Sequence, residues 1–164
     1  MIETQLFRAA MARLGAAVNI IVTDGAAGRH GMTASAVCSV SDSPASLLLC
    51  INKSARMHDV LKDNGQLTVN VLAGGQAGLS GTFADKNLDM DARFAAADWT
   101  MLGHGVPALT GALAAFGCTI ASVVEMGSHS IFLCEVQHLL IGGEEPGLVY
   151  FDRQYHALPM RAAA

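Results

Sequence analysis

Charge is scarce in this chain: Asp, Glu, Lys and Arg supply 15% of its 164 residues, where a soluble domain usually carries about 25%. Hydrophobic residues reach 52%. A single domain spanning 1–164 is long enough to bury a sizeable core. So apolar a composition still leaves surface to hide, which predicts a homo-oligomer, in the simplest case a dimer. Basic runs are missing and the formal net charge is −4, so no nucleic acid is expected as a partner. No apolar run approaches the ~20 residues of a membrane span. The opening MIETQLFRAAMARLG also lacks the continuous apolar stretch of a signal peptide. A cytoplasmic protein with no membrane partner is the expectation. Cys38, Cys50, Cys118 and Cys134 form no CxxC pair and sit among apolar neighbours, so they read as buried free thiols in a reducing compartment. The six histidines show neither HxxxH nor HxH spacing, and no metal site is expected. GxGxxG, the P-loop pattern and GxSxG are all absent, which weighs against Rossmann, P-loop and α/β-hydrolase chemistry.

What the chain does contain is mostly strand pattern. Leu6, Phe7, Ala10, Met11 and Leu14 recur at helical spacing and Gly15 suits the stop. Residues 17–23 (AVNIIVT) read as a strand, followed by the glycine-rich turn DGAAGRHG. Residues 32–41 are small, hydroxyl-rich and β-tolerant, and Pro44 breaks the chain. Residues 46–51 (SLLLCI) form a short apolar run of the buried-strand type, and 56–62 read as a short helix. Residues 67–72 alternate as a strand does. From 73 to 102 there are helical patches and no strand pattern. Strands resume over 111–126, 129–141 and 148–151. Helices that do not alternate with strands argue against a doubly wound parallel sheet, and the pattern predicts a mainly β fold, an antiparallel barrel with helical covers.

Four segments have a composition suited to ligand binding. In 31–41 (GMTASAVCSVS), Thr33, Ser35, Ser39 and Ser41 lie among small residues such as Ala34 and Ala36. Small side chains let a planar ligand approach the backbone, while hydroxyls and N–H groups hold its oxygens; an ordinary strand with a polar face is the other reading. Asn52, Lys53, Ser54 and Ala55 stand between a buried strand and a helix, where free N–H donors, the dipole end and the Lys53 charge suit a phosphate. Equally, Asn52 and Ser54 can simply cap that helix. His129, where a turn meets a strand, suits either the rim of an aromatic ligand or a structural hydrogen bond. In YFDRQYH, Tyr150, Phe151 and Tyr155 can stack on adenine or nicotinamide and Arg153 can meet a pyrophosphate, or the aromatics can dock a subunit interface.

Taken together and in order, AAVNIIVTDG, GMTASAVCSVSDSPASLLLCIN, Arg93–Phe94, MGSHSIFLCEV and GLVYFDRQYH resemble the short-chain flavin reductases that serve two-component flavin-dependent monooxygenases. The likeness is greatest to the reductases of 4-hydroxyphenylacetate 3-monooxygenase and of the pyrimidine-degrading oxygenase. It implies an FMN-binding split β-barrel of Greek-key type, usually a homodimer. It implies that FMN or FAD lies on Thr33, Ala34, Ser35, Ala36 and Ser39 and on Cys50, Ile51, Asn52, Lys53, Ser54 and Ala55. Arg93 and Phe94 would then stand near the flavin's outer part. His129, Tyr150, Phe151, Asp152, Arg153 and Tyr155 would face NADH, NADPH being also admitted, with His129 the candidate catalytic residue. The implied activity is reduction of flavin for a partner monooxygenase. The alternatives are a flavin-binding module without turnover and another split-barrel flavoprotein oxidase.

Overall fold

A computed structural model describes residues 2–103 and 105–161. Its centre is a seven-stranded antiparallel sheet. In chain order its members are β2 (Asn19–Thr23), β3 (His30–Ala34), β4 (Val37–Asp42), β5 (Ala45–Asn52), β6 (Gln66–Val71), β9 (Ala114–Met126) and β10 (His129–Ile141). Their spatial order is β3-β2-β6-β9-β10-β5-β4. The two edge strands, β3 and β4, are neighbours in sequence, with only Ser35 and Ala36 between them. So short a connection reaches about 10 Å, and the sheet therefore curls until its edges meet at that corner. No ladder joins β3 to β4 among the described residues. Register shifts in the β9–β10 ladder, at Leu133/Cys134 and Val136/His138, supply curvature in the long hairpin.

Strand β2 is buried along its whole length because both of its faces are covered. Ile21 belongs to a core with Leu49, Ile51, Leu67, Val69 and Phe132, closed by Met57 and Leu61 of helix α2 (Arg56–Asn64). Ile20 and Val22 point the other way, into a second core with Leu72, Leu148, Phe83 and Phe94. That core is covered by helices α3 (Ala77–Ala84) and α4 (Met90–Ala95) and by the hairpin of β7 (Trp99–Met101) and β8 (Pro107–Leu109). A third sheet element docks beside it: β1 (Ala16–Ala17) pairs with β11 (Gly147–Phe151), which pairs with β12 (Gln154–Leu158). Val18 N–H donates to Leu148 O, Leu148 N–H to Leu72 O, and Leu72 N–H to Val18 O, each at 3.0 Å, so three segments lock at one point.

The predicted strand at 129–141 appears with the same ends, those at 46–51, 67–72, 111–126 and 148–151 and the helix at 56–62 appear with ends moved by one to three residues, and the single strand predicted at 17–23 is split at Val18 between two sheets, as β1 and β2. Four further expectations need correction. The region 73–102 is not free of strands, because Trp99–Met101 is a strand, too short to show a period and held by its pairing with β8. β11 is not the last strand: β12 follows it through a turn in which Asp152 and Arg153 take φ of 47° and 62° without a glycine to signal it. Cys38 is exposed on the edge strand β4 and Cys50 is half-buried; only Cys118 and Cys134 fit the expected buried thiols, and burial pushes both up to about 12. Helix α1 (Thr4–Met11) stops short of Gly15 and buries none of its residues.

Gly31 on β3 has its Cα against the aromatic cluster of Phe83, Phe94 and Trp99. A Cβ there would stand 2.6 Å from Phe83 Cε1, and Phe83 is 1% exposed with no room to retreat. Gly31→Ala is expected to destabilise the fold by about 1–3 kcal/mol, read as a lower urea midpoint with an unchanged slope. His30, on the same strand, titrates below its ordinary 6.5, first because burial disfavours its charge and then because Arg93 and Arg56 repel it. The unfolded chain therefore binds the proton more readily. Stability is full above about pH 6.5 and declines as pH falls from there toward the lowered value. His30→Gln should flatten that part of a melting-temperature profile; an unchanged profile would remove His30 as its source.

Candidate active-site cleft

The site begins with the free edge of β3. β3 pairs residue for residue with β2, from Asn19 opposite Ala34 to Thr23 opposite His30, and in such a ladder every second residue turns its backbone groups outward. Gly31 shows this directly: its N–H donates to Met90 Sδ at 3.4 Å and its carbonyl accepts from Arg93 Nη1 at 3.1 Å. Helix α4 thus covers the edge at Gly31. Thr33, two residues on, turns its N–H and C=O to the same side, beyond the reach of that cover. Its hydroxyl donates to the Ser80 carbonyl at 2.6 Å, leaving only lone pairs to present to a ligand.

Across from this edge stands the C-terminal hairpin. β11 and β12 bring Tyr150 and Tyr155 together with ring centroids 5.4 Å apart. Val18, Thr33, Ala34, Ser35, Tyr150 and Tyr155 line one cleft of about 190 Å³. Segments from opposite ends of the chain therefore form a single hollow, small and polar on one side and aromatic on the other.

The corner residues lead on from it. Ser35 O accepts from Val37 N and Ala36 O from Cys50 N, both at 3.0 Å, which sets the end of β3 beside the end of β5. Past Cys50 comes the Asn52 loop. Asn52 Oδ1 accepts from Ser54 N–H at 2.9 Å and from Ser54 Oγ–H at 2.8 Å. Lys53 N–H donates to Ser128 O at 2.9 Å, and its ammonium pairs with Glu125 at 2.8 Å. That bond, with the Lys53 charge, holds the Glu125 carboxyl below its ordinary range. Asn52 lies opposite His129 in the β5–β10 ladder, and His129 Nδ1 is 2.9 Å from Ser128 Oγ. A strip thus runs from Thr33 through Ala36 and Cys50 to Asn52, Lys53, Ser54 and His129.

A flavin reductase-like domain model matches residues 11–159. This chain belongs to the flavin reductase-like family. It is 52% identical to the FMN reductase (NADH) RutF of Serratia proteamaculans over 157 residues, 96% of this chain and 89% of that one. The NADH:FAD oxidoreductase SgcE6 of Streptomyces globisporus, solved with NAD and FAD fragments, is 29% identical with a TM-score of 0.89, covering 99% of each chain. BorF, the flavin reductase component of a bacterial two-component tryptophan halogenase, is 29% identical with a TM-score of 0.90 and covers 97% of this chain and 100% of its own.

In this flavin reductase-like chain the anticipated residues fall into three groups. Thr33, Ala34, Ser35, Tyr150 and Tyr155 share the cleft. Ala36, Cys50, Asn52, Lys53, Ser54 and His129 lie on the strip, with Ser39 further out on the exposed face of β4 and Phe151, Asp152 and Arg153 at the hairpin tip. Ile51, Arg93 and Phe94 are buried behind it, at 1%, 7% and 5% exposure, and Ala55 packs on the interior core. Arg93 holds the carbonyls of Gly31, Phe83 and Asp85, so its guanidinium fastens α4 and the end of α3 to β3. Ser54 is not the cap of α2, as the helix has Ala55 at that position and no side-chain cap; the Ser54 hydroxyl turns back to Asn52.

Two features escaped the sequence reading. Ser80, in GLSG, contacts both walls of the cleft, and its only mark in the sequence is a hydroxyl amid small residues. His58 links Asp59, at 2.7 Å from Nδ1, with Ser130, at 2.9 Å from Nε2. That chain has the order of a hydrolytic triad, yet Ser130 is fully buried and no substrate reaches it. It braces α2 against β10, the strand that starts at His129.

Proposed function

We propose that this chain is an NADH-dependent flavin reductase that reduces FMN, with FAD also accepted, and releases reduced flavin to a partner monooxygenase. The observation that carries the reading is the open edge of β3 at Thr33, faced by Tyr150 and Tyr155 across one cleft. The close FMN reductase relative from Serratia proteamaculans and the two-component halogenase reductase support it.

The donor set fits a flavin. Main-chain N–H and C=O groups at Thr33, with the Thr33 lone pairs, match the alternating donors and acceptors of a pyrimidine-dione edge. Ala34 and Ala36 leave room for a flat ring, and the cleft of about 190 Å³ holds a ring system but not a whole nucleotide. The remainder extends along the strip, where the amides of the Asn52 loop, the Ser54 hydroxyl and Lys53 suit a phosphate. Lys53 is available at small cost, because its pairing with exposed Glu125 is a surface ion pair. Bound flavin supplies the redox chemistry, accepting a hydride from the dihydronicotinamide. The chain's own work is to bind the ring edge, orient the nicotinamide against it and exclude water with the tyrosines. His129, exposed at the rim beside Asn52, is the side chain we assign to the nicotinamide.

The finer architecture belongs to the same reading. The curled sheet is the half-closed form of a split barrel, and a second copy covers the apolar surface left bare. That surface includes Leu6, Phe7, Val124, Met126, Leu139 and Ile141, the last 81% exposed. Four unpaired thiols agree with the cytoplasm, and no described helix is long and apolar enough to cross a membrane.

The assay is NADH oxidation with added FMN, in which consumption should rise in proportion to protein. Saturable FMN binding with no turnover would mark a carrier instead. His129→Ala should raise KM for NADH about tenfold while leaving the FMN Kd within about twofold, as expected for a side chain that meets only the nicotinamide. Unchanged single-turnover kinetics at every NADH concentration would remove His129 from the site.

A further inference from the structure

We propose that Ser80 is a positioning residue that holds Tyr155 at the working distance from β3. The inference rests on the reductase reading above and adds a residue to it. Ser80 lies on α3 and is fully buried. A buried hydroxyl needs a partner, and its partner is the Tyr155 hydroxyl at 2.8 Å. Tyr155 does not need Ser80 in return, since it is 42% exposed and water can satisfy it. The bond therefore acts on where Tyr155 stands. Through its main chain the same residue accepts from Thr33 Oγ1 at 2.6 Å. One residue thus measures the gap between the two walls: its carbonyl holds β3, its hydroxyl holds β12.

The hairpin needs such a tie. All five residues of β12 are exposed, and among the described residues its ladder is to β11 alone. The tip is held by Asp152 N–H donating to Ala12 O at 2.7 Å, and the root by Leu148 and by Ala157 lying against Gly74; at Tyr155 the side-chain tie is the hydroxyl bond to Ser80.

The test is a double-mutant cycle of S80A and Y155F in the full chain. S80A keeps the carbonyl, so the Thr33 wall stays and the FMN Kd should move less than about twofold. KM for NADH should rise about three- to tenfold with a smaller change in kcat, and Y155F should do the same. The double variant should be no worse than either single one, because both remove one bond. Y155F removes that bond from the solvent-facing side and carries the test if S80A is too unstable to purify. Hydrogen exchange at 154–158 is the readout independent of activity, and it should quicken in either single variant. Additive KM effects, or unchanged KM together with unchanged exchange, would overturn the role of Ser80. A wild-type chain that binds FMN without oxidising NADH, but whose hairpin loosens in S80A, would sink the reductase reading and leave the anchor standing.

Discussion

An edge strand leaves every second N–H and C=O without a partner, and a folded chain has to cover those groups or use them. β3 does both within three residues. At Gly31 the edge is closed by Met90 and Arg93 of α4. At Thr33 it opens onto the cleft. The helical region between β6 and β7 sets that boundary: Phe83, Phe94 and Trp99 pack under α3 and α4 and fix where their cover ends. The buried Arg93 belongs to the same device, since its donors hold carbonyls of β3 and α3 together rather than reaching outward.

Sheet order explains why the open groups meet others of the right kind. Because β3 and β4 are the two edges and only two residues link them, the end of β3 is forced beside the end of β5. The Asn52 loop and, across the β5–β10 ladder, His129 then follow as one strip. The C-terminal hairpin is brought over the opposite side by the three-way lock of Val18, Leu72 and Leu148. On the proposed reading, an open edge, a polar loop and an aromatic wall are what the chain supplies to a reaction in which the ligands carry the electrons.

Much of this was legible in the residues. Strands 19–23 and 67–71 announce themselves because β-branched and apolar residues fill both covered faces, and 46–51 because its apolar run is continuous although one face is only half-buried. Thr33, Ala34 and Ser35 stood out for small size and hydroxyls, and Tyr150 and Tyr155 for aromatic density. Other features depend on distant partners and leave no local trace. β7 is a strand because β8 lies beside it, and β12 because β11 does. Ser54 has the composition of a cap, but Asn52 captures it first. Ser80 shows nothing until Thr33 and Tyr155, from opposite ends of the chain, are seen to converge on it.

On the proposed reading the main chain at Thr33 is held ready for a ring edge. Amide hydrogen exchange at Thr33, measured with and without saturating FMN, tests it most directly. Exchange at Thr33 should be rapid in the free protein and strongly slowed when FMN is bound, with the Gly31 amide slow in both. Thr33 exchange that stays the same while FMN is demonstrably bound would place the flavin elsewhere and overturn the role of this edge.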